Sequence, residues 1–382
     1  MLLGVLIALP ALGTDLYIPA LPDVARSLGA PVSAAQFTLT AYFIGLAAGQ
    51  LMWGPLSDRF GRKPVLFAGL GTMLAASVAA VVVDSVAALT MLRLAQGLGT
   101  SSGALIGRTI VRDLYAHERA ARLLSSMTIV FSIVPVSAPF VGALLVGAGG
   151  WPWIFVGMAI VAAILLVCVA FLEETAPAQR RSVHPAEIVR TFAAILADRR
   201  FRAPFFLVLS SVLGVLAWVS ASSFTLVRGF GVSTLAFGMM FALVMIGQIL
   251  GAWTSSRLVV RFGIAAFLRA GAIFMCGSGI AAAALAWLGV QHWLAVVLPF
   301  MLFLYGSALI TSNAMAAALT PFPQAAGSAS SLIGATGFGL GALLSTALGA
   351  AFDDTARPMA TAAALAGTAA FLFERSMARG KA

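Results

Sequence analysis

The sequence predicts an all-α polytopic membrane protein with twelve transmembrane helices in two pseudo-symmetric six-helix halves. Composition is the first reason: 61% of the 382 residues are hydrophobic and only 9% are charged, whereas a soluble domain carries about 25% charged residues. The second reason is that apolar runs of about 17–25 residues, long enough to cross a bilayer as a helix, recur along the whole chain. The third is that one long polar stretch, residues 173–203, lies between six such runs and six more.

The apolar runs define the elements in chain order. We predict membrane spans over residues 2–22, 33–53, 65–83, 86–110, 123–147, 151–172, 204–226, 234–255, 263–287, 292–315, 326–349 and 358–374. The chain is thereby divided into an N-terminal half (1–172), a cytoplasmic connecting loop (173–203) and a C-terminal half (204–382). The first span is not a secretory signal peptide, because it lacks a basic leader and eleven spans follow it. It begins at residue 2, which leaves open a native start upstream of Met1.

The basic residues predict the orientation of the chain. With the N-terminus inside, cytoplasmic connections hold 19 of the 23 Lys and Arg residues, and external connections hold only Arg26, Arg228 and Arg357. This distribution follows the positive-inside rule, so both termini are predicted to be cytoplasmic. Topology therefore explains the net charge of +10, and we predict the lipid bilayer, not nucleic acid, as the partner of this basic chain.

A short internal match suggests that the two halves arose by duplication, which is a common way to build transporters. The segment "LAAGQLMWGPLSDR" (46–59) aligns without gaps with "VMIGQILGAWTSSR" (244–257) at an offset of 198. In that register Gly49 falls on Gly247. Chance similarity between apolar segments is the alternative, but the position of the match, before the same connection in each half, favours duplication.

Two charged residues lie deep inside predicted spans, where charge is costly and is a functional candidate by default. Asp15 lies seven residues from the external end of span one and Arg93 lies seven residues into span four, which places both roughly 10 Å below the external surface. Pro19 lacks an N–H and predicts a bend just after Asp15. The two charges either lock two helices together or form a proton-binding site. We favour the site, with Asp15 binding the proton and Arg93 tuning it, because burial and a nearby cation act in opposite directions on a carboxylate.

Uncharged polar and aromatic side chains within the spans are candidates for a substrate cavity. The set taken as cavity residues is Tyr17, Gln36, Tyr42, Gln96, Trp218, Ser222, Tyr305 and Asn313. Packing is the alternative for each residue alone, but together they predict a mainly apolar, uncharged pocket. The three histidines lack metal-ligand spacing, and no phosphate-binding lysine motif or catalytic constellation stands out. We therefore predict no metal, no cofactor and no enzymatic activity.

The segment "GPLSDRFGRKP" (54–64) lies between spans two and three and carries a specific pattern. It resembles the loop G-x-x-x-D-R-x-G-R-K of the major facilitator superfamily, and the matching residues are Gly54, Asp58, Arg59, Gly61, Arg62 and Lys63. The resemblance implies the fold of that superfamily. It also implies that Asp58 and Arg59 join a cytoplasmic charge network that meets the start of span eleven and holds the outward-facing state closed on the inside.

More narrowly, the chain resembles the bicyclomycin/chloramphenicol-resistance (Bcr/CflA) branch of the drug:proton antiporters over essentially its whole length. The similarity is carried by "DLYIPALP", "RLAQGLGTSSG", "RTIVRDLY" (108–115), "PVSAPFVGALL" (135–145) and "PFPQAAGSASSLIGA". It implies that Arg93 and Gln96 are the span-four motif residues, with Arg93 handling the proton. It makes Arg112 and Asp113 partners of the loop charges, and Pro139 and Gly142 the antiporter-motif residues that shape span five.

The sequence departs from the branch at two positions. Ala143 stands where many relatives have a second glycine, which weakens the antiporter assignment. In the second half, Ser256 stands where the loop motif has an Asp, so the resemblance implies a degenerate network there. Neither departure affects the predicted fold.

The predicted function is export of small, largely apolar drugs or related compounds in exchange for protons, by alternating access of the two halves. The resemblance implies a monomer in the bacterial inner membrane whose partners are a small-molecule substrate and protons. With one deep acid, we expect neutral, zwitterionic or monovalent compounds. The alternatives are a proton-coupled importer and an exporter of an endogenous metabolite. Missing catalytic clusters disfavour a membrane-embedded enzyme, and the two-half symmetry disfavours a structural subunit.

Overall fold

The computed structural model describes residues 2–114, 117–176, 185–322 and 325–379, without the side chains of residues 112, 117–132, 185–188 and 378–379. Within these ranges the chain forms helices and no strand. It divides into two compact units, Met1–Pro185 and Ala186–Ala382.

The described residues of the N-terminal unit form seven α-helices. They are α1 (Leu2–Asp15), α2 (Leu21–Ser27), α3 (Val32–Phe60), α4 (Arg62–Val81), α5 (Val86–Leu114), α6 (His117–Gly149) and α7 (Pro152–Ala170). The predicted bend near Pro19 is confirmed: α1 ends at Asp15, and a short 3₁₀ turn, Ile18–Ala20, carries the chain into α2. Pro19 has no N–H with which to continue the α-helical bonding, so the helix is interrupted directly after the buried acid.

Helix α5 is the packing centre of this unit and lies against α1, α3 and α4. Glycines allow the close approach. A Cβ at Gly45 of α3 would overlap the Leu94 carbonyl of α5, and a Cβ at Gly97 of α5 would overlap the Tyr42 carbonyl of α3. Small residues let membrane helices approach at backbone distance. The glycines therefore bring the side chains of α3 close to those of α5.

From residue 185 onward the described part of the chain forms seven more α-helices, which make up the C-terminal unit. They are α8 (Pro185–Ala197), α9 (Arg199–Ser223), α10 (Thr234–Phe262), α11 (Ile264–Trp287), α12 (Leu294–Leu319), α13 (Ala326–Ala350) and α14 (Arg357–Arg379). Asp198 caps α9 by accepting the Arg200 N–H at 2.8 Å, as expected for Asp at this position. A π-helical turn, Phe224–Gly229, follows α9. Helix α12 packs against α9, α10 and α11.

The two units repeat one hairpin, in a register that differs from the sequence match. Helices α3 and α10 are each 29 residues long, and each ends at a Phe followed by a glycine of positive φ, 103° at Gly61 and 78° at Gly263. Superposing these ends gives an offset of 202 instead of 198, so the match used for the sequence prediction was four residues out of register. Glycines recur every four residues here, close to one helical turn, and a shift of one turn therefore preserves the apparent similarity.

Nine helical segments in the described part of the chain are long and apolar enough to cross a membrane. They are 2–27, 32–60, 62–81, 152–170, 199–229, 234–262, 264–287, 294–319 and 326–350. The other three predicted spans fall within α5, α6 and α14. Among the α6 residues whose side chains the structure describes, Ile133–Gly149 form a shorter apolar segment. In α5 the hydropathy is reduced by buried polar residues such as Arg93 and Gln96, which face other helices and not lipid.

Candidate functional site

Asp15 is the last residue of α1 and is buried, with 5% of its surface exposed. The helix turn before it is polar, because the Thr14 hydroxyl donates to the Pro10 carbonyl at 2.8 Å. Among the residues that the structure describes, Asp15 forms no ion pair. The acid is therefore enclosed in the N-terminal unit without a bound cationic partner.

Arg93 on α5 is completely buried and is bound by neutral groups. Its Nη1 donates to Oε1 of Gln96 at 2.8 Å, and its Nη2 donates to the Gly13 carbonyl at 3.0 Å. The guanidinium carbon also lies 4.2 Å from the ring centres of both Tyr17 and Tyr42. Cation–π contacts of this kind reach about 2 kcal/mol when they are desolvated. Arg93 thus contacts α1 two residues before Asp15, and it does so through a backbone carbonyl.

Hydrogen bonds hold both tyrosine rings in place around Arg93. The Tyr17 hydroxyl lies 2.6 Å from the Thr38 hydroxyl. The Tyr42 hydroxyl donates to the Pro10 carbonyl at 3.1 Å and lies 3.1 Å from the Thr100 hydroxyl. Because each phenol is bonded at its far end, each ring face stays against the guanidinium.

The sequence prediction missed two members of this site. Ser77 of α4 accepts a hydrogen bond from Nε2 of Gln96 at 2.7 Å, which orients the amide so that its oxygen accepts from Arg93. Gly13 is the second, because a Cβ there would overlap the Tyr42 hydroxyl. A serine or a glycine within an apolar run gives no sequence signal that would distinguish these positions from ordinary packing. Gln36, another predicted cavity residue, is buried on α3.

The predicted antiporter-motif residues lie on α6, which packs against α1. Pro139 and Gly142 are both buried. A Cβ at Gly142 would overlap the carbonyl oxygen of Leu16 and would lie 3.1 Å from its carbonyl carbon. The absence of a side chain at Gly142 therefore lets α6 touch the backbone immediately after Asp15.

The loop between α3 and α4 brings three of the predicted network residues together. Arg62 pairs with Asp58 through Nη1 at 2.5 Å and with Asp113 of α5 through Nε at 3.0 Å. Its Nη1 also donates to the Ser57 hydroxyl at 2.8 Å. Gly61 adopts a φ of 103°, a conformation that L side chains rarely adopt, so the sharp turn that presents Arg62 requires glycine.

The remaining loop residues lie around this cluster. The guanidinium of Arg59 lies 5.1 Å from the Phe60 ring centre, and within the described residues it forms no ion pair. Gly54 faces α5, where a Cβ would be in ordinary contact with Leu105 at 3.6 Å. The side chain of Arg112 lies outside the described residues, so its predicted role stays a prediction.

Glu174, which the sequence prediction did not include, is bound to the same loop. Its carboxylate accepts the backbone N–H groups of Arg62 at 2.9 Å and Lys63 at 3.1 Å. Partial burial acts to raise the pKa of the Glu174 carboxyl, but the backbone donors of Ala176, Arg62, Lys63 and Thr175 outweigh it and leave the pKa below its ordinary value. The Nζ of Lys63 donates to the Ala170 carbonyl at 2.7 Å.

In the C-terminal unit, Trp218 and Ser222 lie near the end of α9 and both are fully buried. The Trp218 ring packs against Phe300 and Phe241, with ring centres 5.0 Å and 5.6 Å apart. Within the described part of the chain, neither Nε1 of Trp218 nor the hydroxyl of Ser222 has a hydrogen-bond partner, and the same holds for Thr225 in the π-helical turn.

The other two predicted cavity residues of this unit, Tyr305 and Asn313, contact neighbouring helices. The ring of Tyr305 packs edge-on against Phe274 of α11, with centres 5.1 Å apart. The amide of Asn313 donates to the Ser255 hydroxyl and to the Leu309 carbonyl, both at 2.8 Å, and so ties α12 to α10. The structure therefore places Trp218 and Ser222 together, and Tyr305 and Asn313 elsewhere in the unit.

The repeat shows that the buried charge has no charged counterpart. Gly45 and Gly247 occupy equivalent positions at the offset of 202, and they abut the carbonyls of Leu94 and Met301 respectively. These contacts align α5 with α12 so that the position equivalent to Arg93 is Phe300. In the C-terminal unit this position is occupied by an aromatic ring that packs against Trp218.

Comparison with known sequences finds relatives that include three named as resistance proteins. A bicyclomycin resistance protein homolog of Haemophilus influenzae is 32% identical over 362 residues, which are 94% of this chain and 90% of that protein. A chloramphenicol resistance protein of Pseudomonas aeruginosa is 30% identical over 351 residues, 89% of this chain and 80% of that protein. Multidrug resistance protein D of Escherichia coli is 27% identical over 335 residues, 87% and 84% of the two chains.

Comparison with solved structures supports the fold. A POT family transporter, solved in complex with a thioalcohol-conjugated peptide, has a TM-score of 0.77 at 14% identity, covering 99% of this chain and 96% of that chain. A D-xylose–proton symporter has a TM-score of 0.74 at 15% identity, covering 98% and 96%. Residues 3–346 match the Major Facilitator Superfamily. The chain therefore belongs to this superfamily of membrane transporters, as its loop motif predicted, and its relatives include the bicyclomycin- and chloramphenicol-resistance proteins; it is not an enzyme.

Proposed function

We propose that this protein exports small, largely apolar drugs or related compounds in exchange for protons, with Asp15 as the proton site. The names of the relatives support drug resistance as the context: bicyclomycin, chloramphenicol and multidrug resistance. Proton exchange is argued from the geometry around Asp15 and Arg93.

One observation carries the proposal: the buried cation and the buried acid are not bound to each other. Arg93 is bound through both Nη atoms by an amide and a carbonyl and packs on two aromatic rings, while its buried Nε has no hydrogen-bond partner in the described part of the chain. Protonation of Asp15 therefore leaves every contact of Arg93 intact, whereas in a direct ion pair it would leave a buried charge without its partner, at a cost of several kcal/mol. An acid that can gain and lose a proton without disrupting its surroundings suits a carrier that does so in each cycle.

The substrate would be recognised by neutral groups. Tyr17, Tyr42 and Gln96 surround Arg93 in the N-terminal unit. In the described part of the C-terminal unit, Trp218 has an unpartnered Nε1 and packs against an aromatic ring, and Ser222 has an unpartnered hydroxyl. A buried donor without a partner costs about 1–3 kcal/mol, which a substrate carrying hydrogen-bond acceptors could recover. This chemistry favours neutral or monovalent compounds with an aromatic part.

The proposal includes a topology. All twelve predicted spans would cross the membrane, with α5, α6 and α14 crossing in addition to the nine apolar segments. Helices α1 and α2 together form the first span, and α8 belongs to the connecting loop. Both termini would be cytoplasmic, because 19 of the 23 basic residues then lie inside. The protein would act as a monomer in the bacterial inner membrane.

Proteoliposomes with an imposed pH gradient test the proposal. We expect the parent protein to drive gradient-dependent movement of labelled chloramphenicol, and Asp15→Asn to abolish this movement while leaving drug binding measurable. Asp23→Asn is the matched control, because Asp23 lies eight residues further along the chain, just beyond the external end of the first predicted span, where we expect no effect. Gradient-driven transport retained by Asp15→Asn would contradict the assignment. Movement of the drug in the same direction as protons would favour the importer, and no movement of any drug would favour a metabolite exporter.

A further inference from the structure

Two helix ends in the N-terminal unit are joined by contacts that run in both directions. Helix α4 begins at Arg62 and helix α7 ends at Ala170. Glu174, four residues beyond α7, accepts the first two N–H groups of α4, from Arg62 and Lys63. In return, the ammonium group of Lys63 donates to the carbonyl of Ala170 at 2.7 Å.

This pair of contacts matches the electrostatic needs of both helix ends. The first N–H groups and the last carbonyls of a helix have no partner within the helix. A negative side chain is favourable at the first end and a positive one at the last. Glu174 and Lys63 supply these charges to each other's helices, so the two helix ends cap one another; we call this pair the reciprocal cap.

The reciprocal cap and the loop charge cluster share Arg62. The backbone N–H of Arg62 is held by Glu174, while its side chain reaches Asp58 and Asp113. Thr175, next to Glu174, also reaches Asp113, with its hydroxyl 3.5 Å from that carboxylate. The chain segment after α7 thus contacts both the backbone and an acidic partner of the loop arginine.

A related tie occurs in the C-terminal unit. The sequence "FLEE" (171–174), directly after α7, resembles "FLFE" (371–374) in α14, and on this resemblance we compare Glu374 with Glu174. Glu374 is buried and pairs with Arg269 of α11 at 3.6 Å. In the N-terminal unit the contacts join the end of α7 to α4, which follows Gly61. In the C-terminal unit they join α14 to α11, which follows Gly263. Only the N-terminal unit makes this tie through the loop motif, because Ile264 and Ala265 stand where Arg62 and Lys63 stand in the first hairpin.

We propose that Glu174 is a positioning residue of the transporter: with Lys63 it forms the reciprocal cap that holds the loop arginine Arg62 against its two acidic partners, and this fixes the rate of the transport cycle without touching the substrate. The rate part rests on the proposed function, whereas the positioning part concerns the fold alone.

A matched pair of isosteric substitutions tests the proposal. Glu174→Gln removes the charge at the start of α4, and Glu173→Gln removes the adjacent exposed charge, for which the structure gives no contact with the loop. Hydrogen exchange of the Arg62 and Lys63 amides, measured on purified protein in lipid nanodiscs, requires no transport. We expect exchange to become about tenfold faster in Glu174→Gln, as for the loss of one charge-assisted bond, and to stay at the parent rate in Glu173→Gln.

Transport measured on the same variants gives the second readout. We expect Glu174→Gln to lower the maximal rate of drug transport with an unchanged KM, because the substrate site is not altered. Unchanged amide exchange in Glu174→Gln would overturn the reciprocal cap whatever the transport result. Faster exchange with parent-like transport would overturn the role in the cycle. If the parent protein moves no drug, the proposed function fails, and the exchange result alone decides whether Glu174 positions Arg62.

Discussion

Replacement of Gly142 by alanine tests the contact between α6 and the buried acid's helix. The added Cβ would overlap the Leu16 carbonyl oxygen, with the carbonyl carbon 3.1 Å and the Cα 3.2 Å away. All three atoms belong to the backbone, so no side-chain rotation can relieve the overlap. Helix α6 would have to move away from α1 next to Asp15. We expect Gly142→Ala to destabilise the fold and to slow proton-coupled transport.

The expected change in the free energy of unfolding of Gly142→Ala is the sum of two opposing contributions. Overpacking a tight contact costs about 1–3 kcal/mol, and alanine is better than glycine in a helix by about 0.8–1.0 kcal/mol. Gly147→Ala is the matched control, because Gly147 lies on the same helix and a Cβ there would have nothing within 4 Å. The propensity gain is common to both variants, so their difference isolates the overlap. We expect Gly142→Ala to be less stable than Gly147→Ala by about 1–3 kcal/mol.

Reversible unfolding in mixed micelles, followed by tryptophan fluorescence, measures this difference. Transport in proteoliposomes, normalised to folded protein, measures the functional effect, and Gly147→Ala should transport like the parent. Stabilities of the two variants that agree within about 0.5 kcal/mol would refute the reasoning, because they would mean that α6 does not touch the Leu16 carbonyl.

Three further predictions concern the interiors of the units. In Gly13→Ala the added Cβ would overlap the Tyr42 hydroxyl, so we expect the free energy of unfolding to fall by about 1–2 kcal/mol as the two hydrogen bonds of that hydroxyl are lost. In a Tyr42→Phe background the same substitution should cost about 1 kcal/mol less. Effects of the two substitutions that add within about 0.5 kcal/mol would contradict the contact. Ser211→Ala should destabilise the protein by about 1 kcal/mol, because the Ser211 hydroxyl is bonded to Ser307 and Thr311. Ser222→Ala should not destabilise it but should weaken drug binding, and equal stability losses in both serine variants would count against an unpartnered Ser222.

Some features of the site could be predicted because they are local in the chain. The interruption after Asp15 follows from Pro19, which cannot donate the next helical bond. The turn at Gly61 is part of a short motif whose spacing survives in one segment. The residues of that motif were therefore assigned to a charge cluster, and the structure brings Asp58, Arg62 and Asp113 together.

Other contacts of the site could not be predicted, because the two residues in contact are distant in sequence and are of types that are common in loops and helices. Glu174 lies 112 residues from Arg62, and nothing in the sequence pairs one of several loop acids with the start of a particular helix. The register of the internal repeat was misjudged by four residues, since glycines spaced by one turn match almost equally well after a shift. Only the hairpin turns at Gly61 and Gly263 fix that register.

The sequence by itself determined that this protein is a helical membrane transporter, that it belongs to the major facilitator superfamily, and that one acid and one base lie deep inside the predicted spans of its first half. These properties depend on composition, on run length and on a contiguous motif, and each can be counted along the chain. Only the tertiary structure decided that Arg93 is held by a Gly13 carbonyl, Gln96 and two tyrosine rings, while Asp15 forms no ion pair with any residue that the structure describes. The reason is physical: similar depth in the membrane brings two helices to the same level, but the rotation of each helix and the packing of its neighbours decide which groups meet.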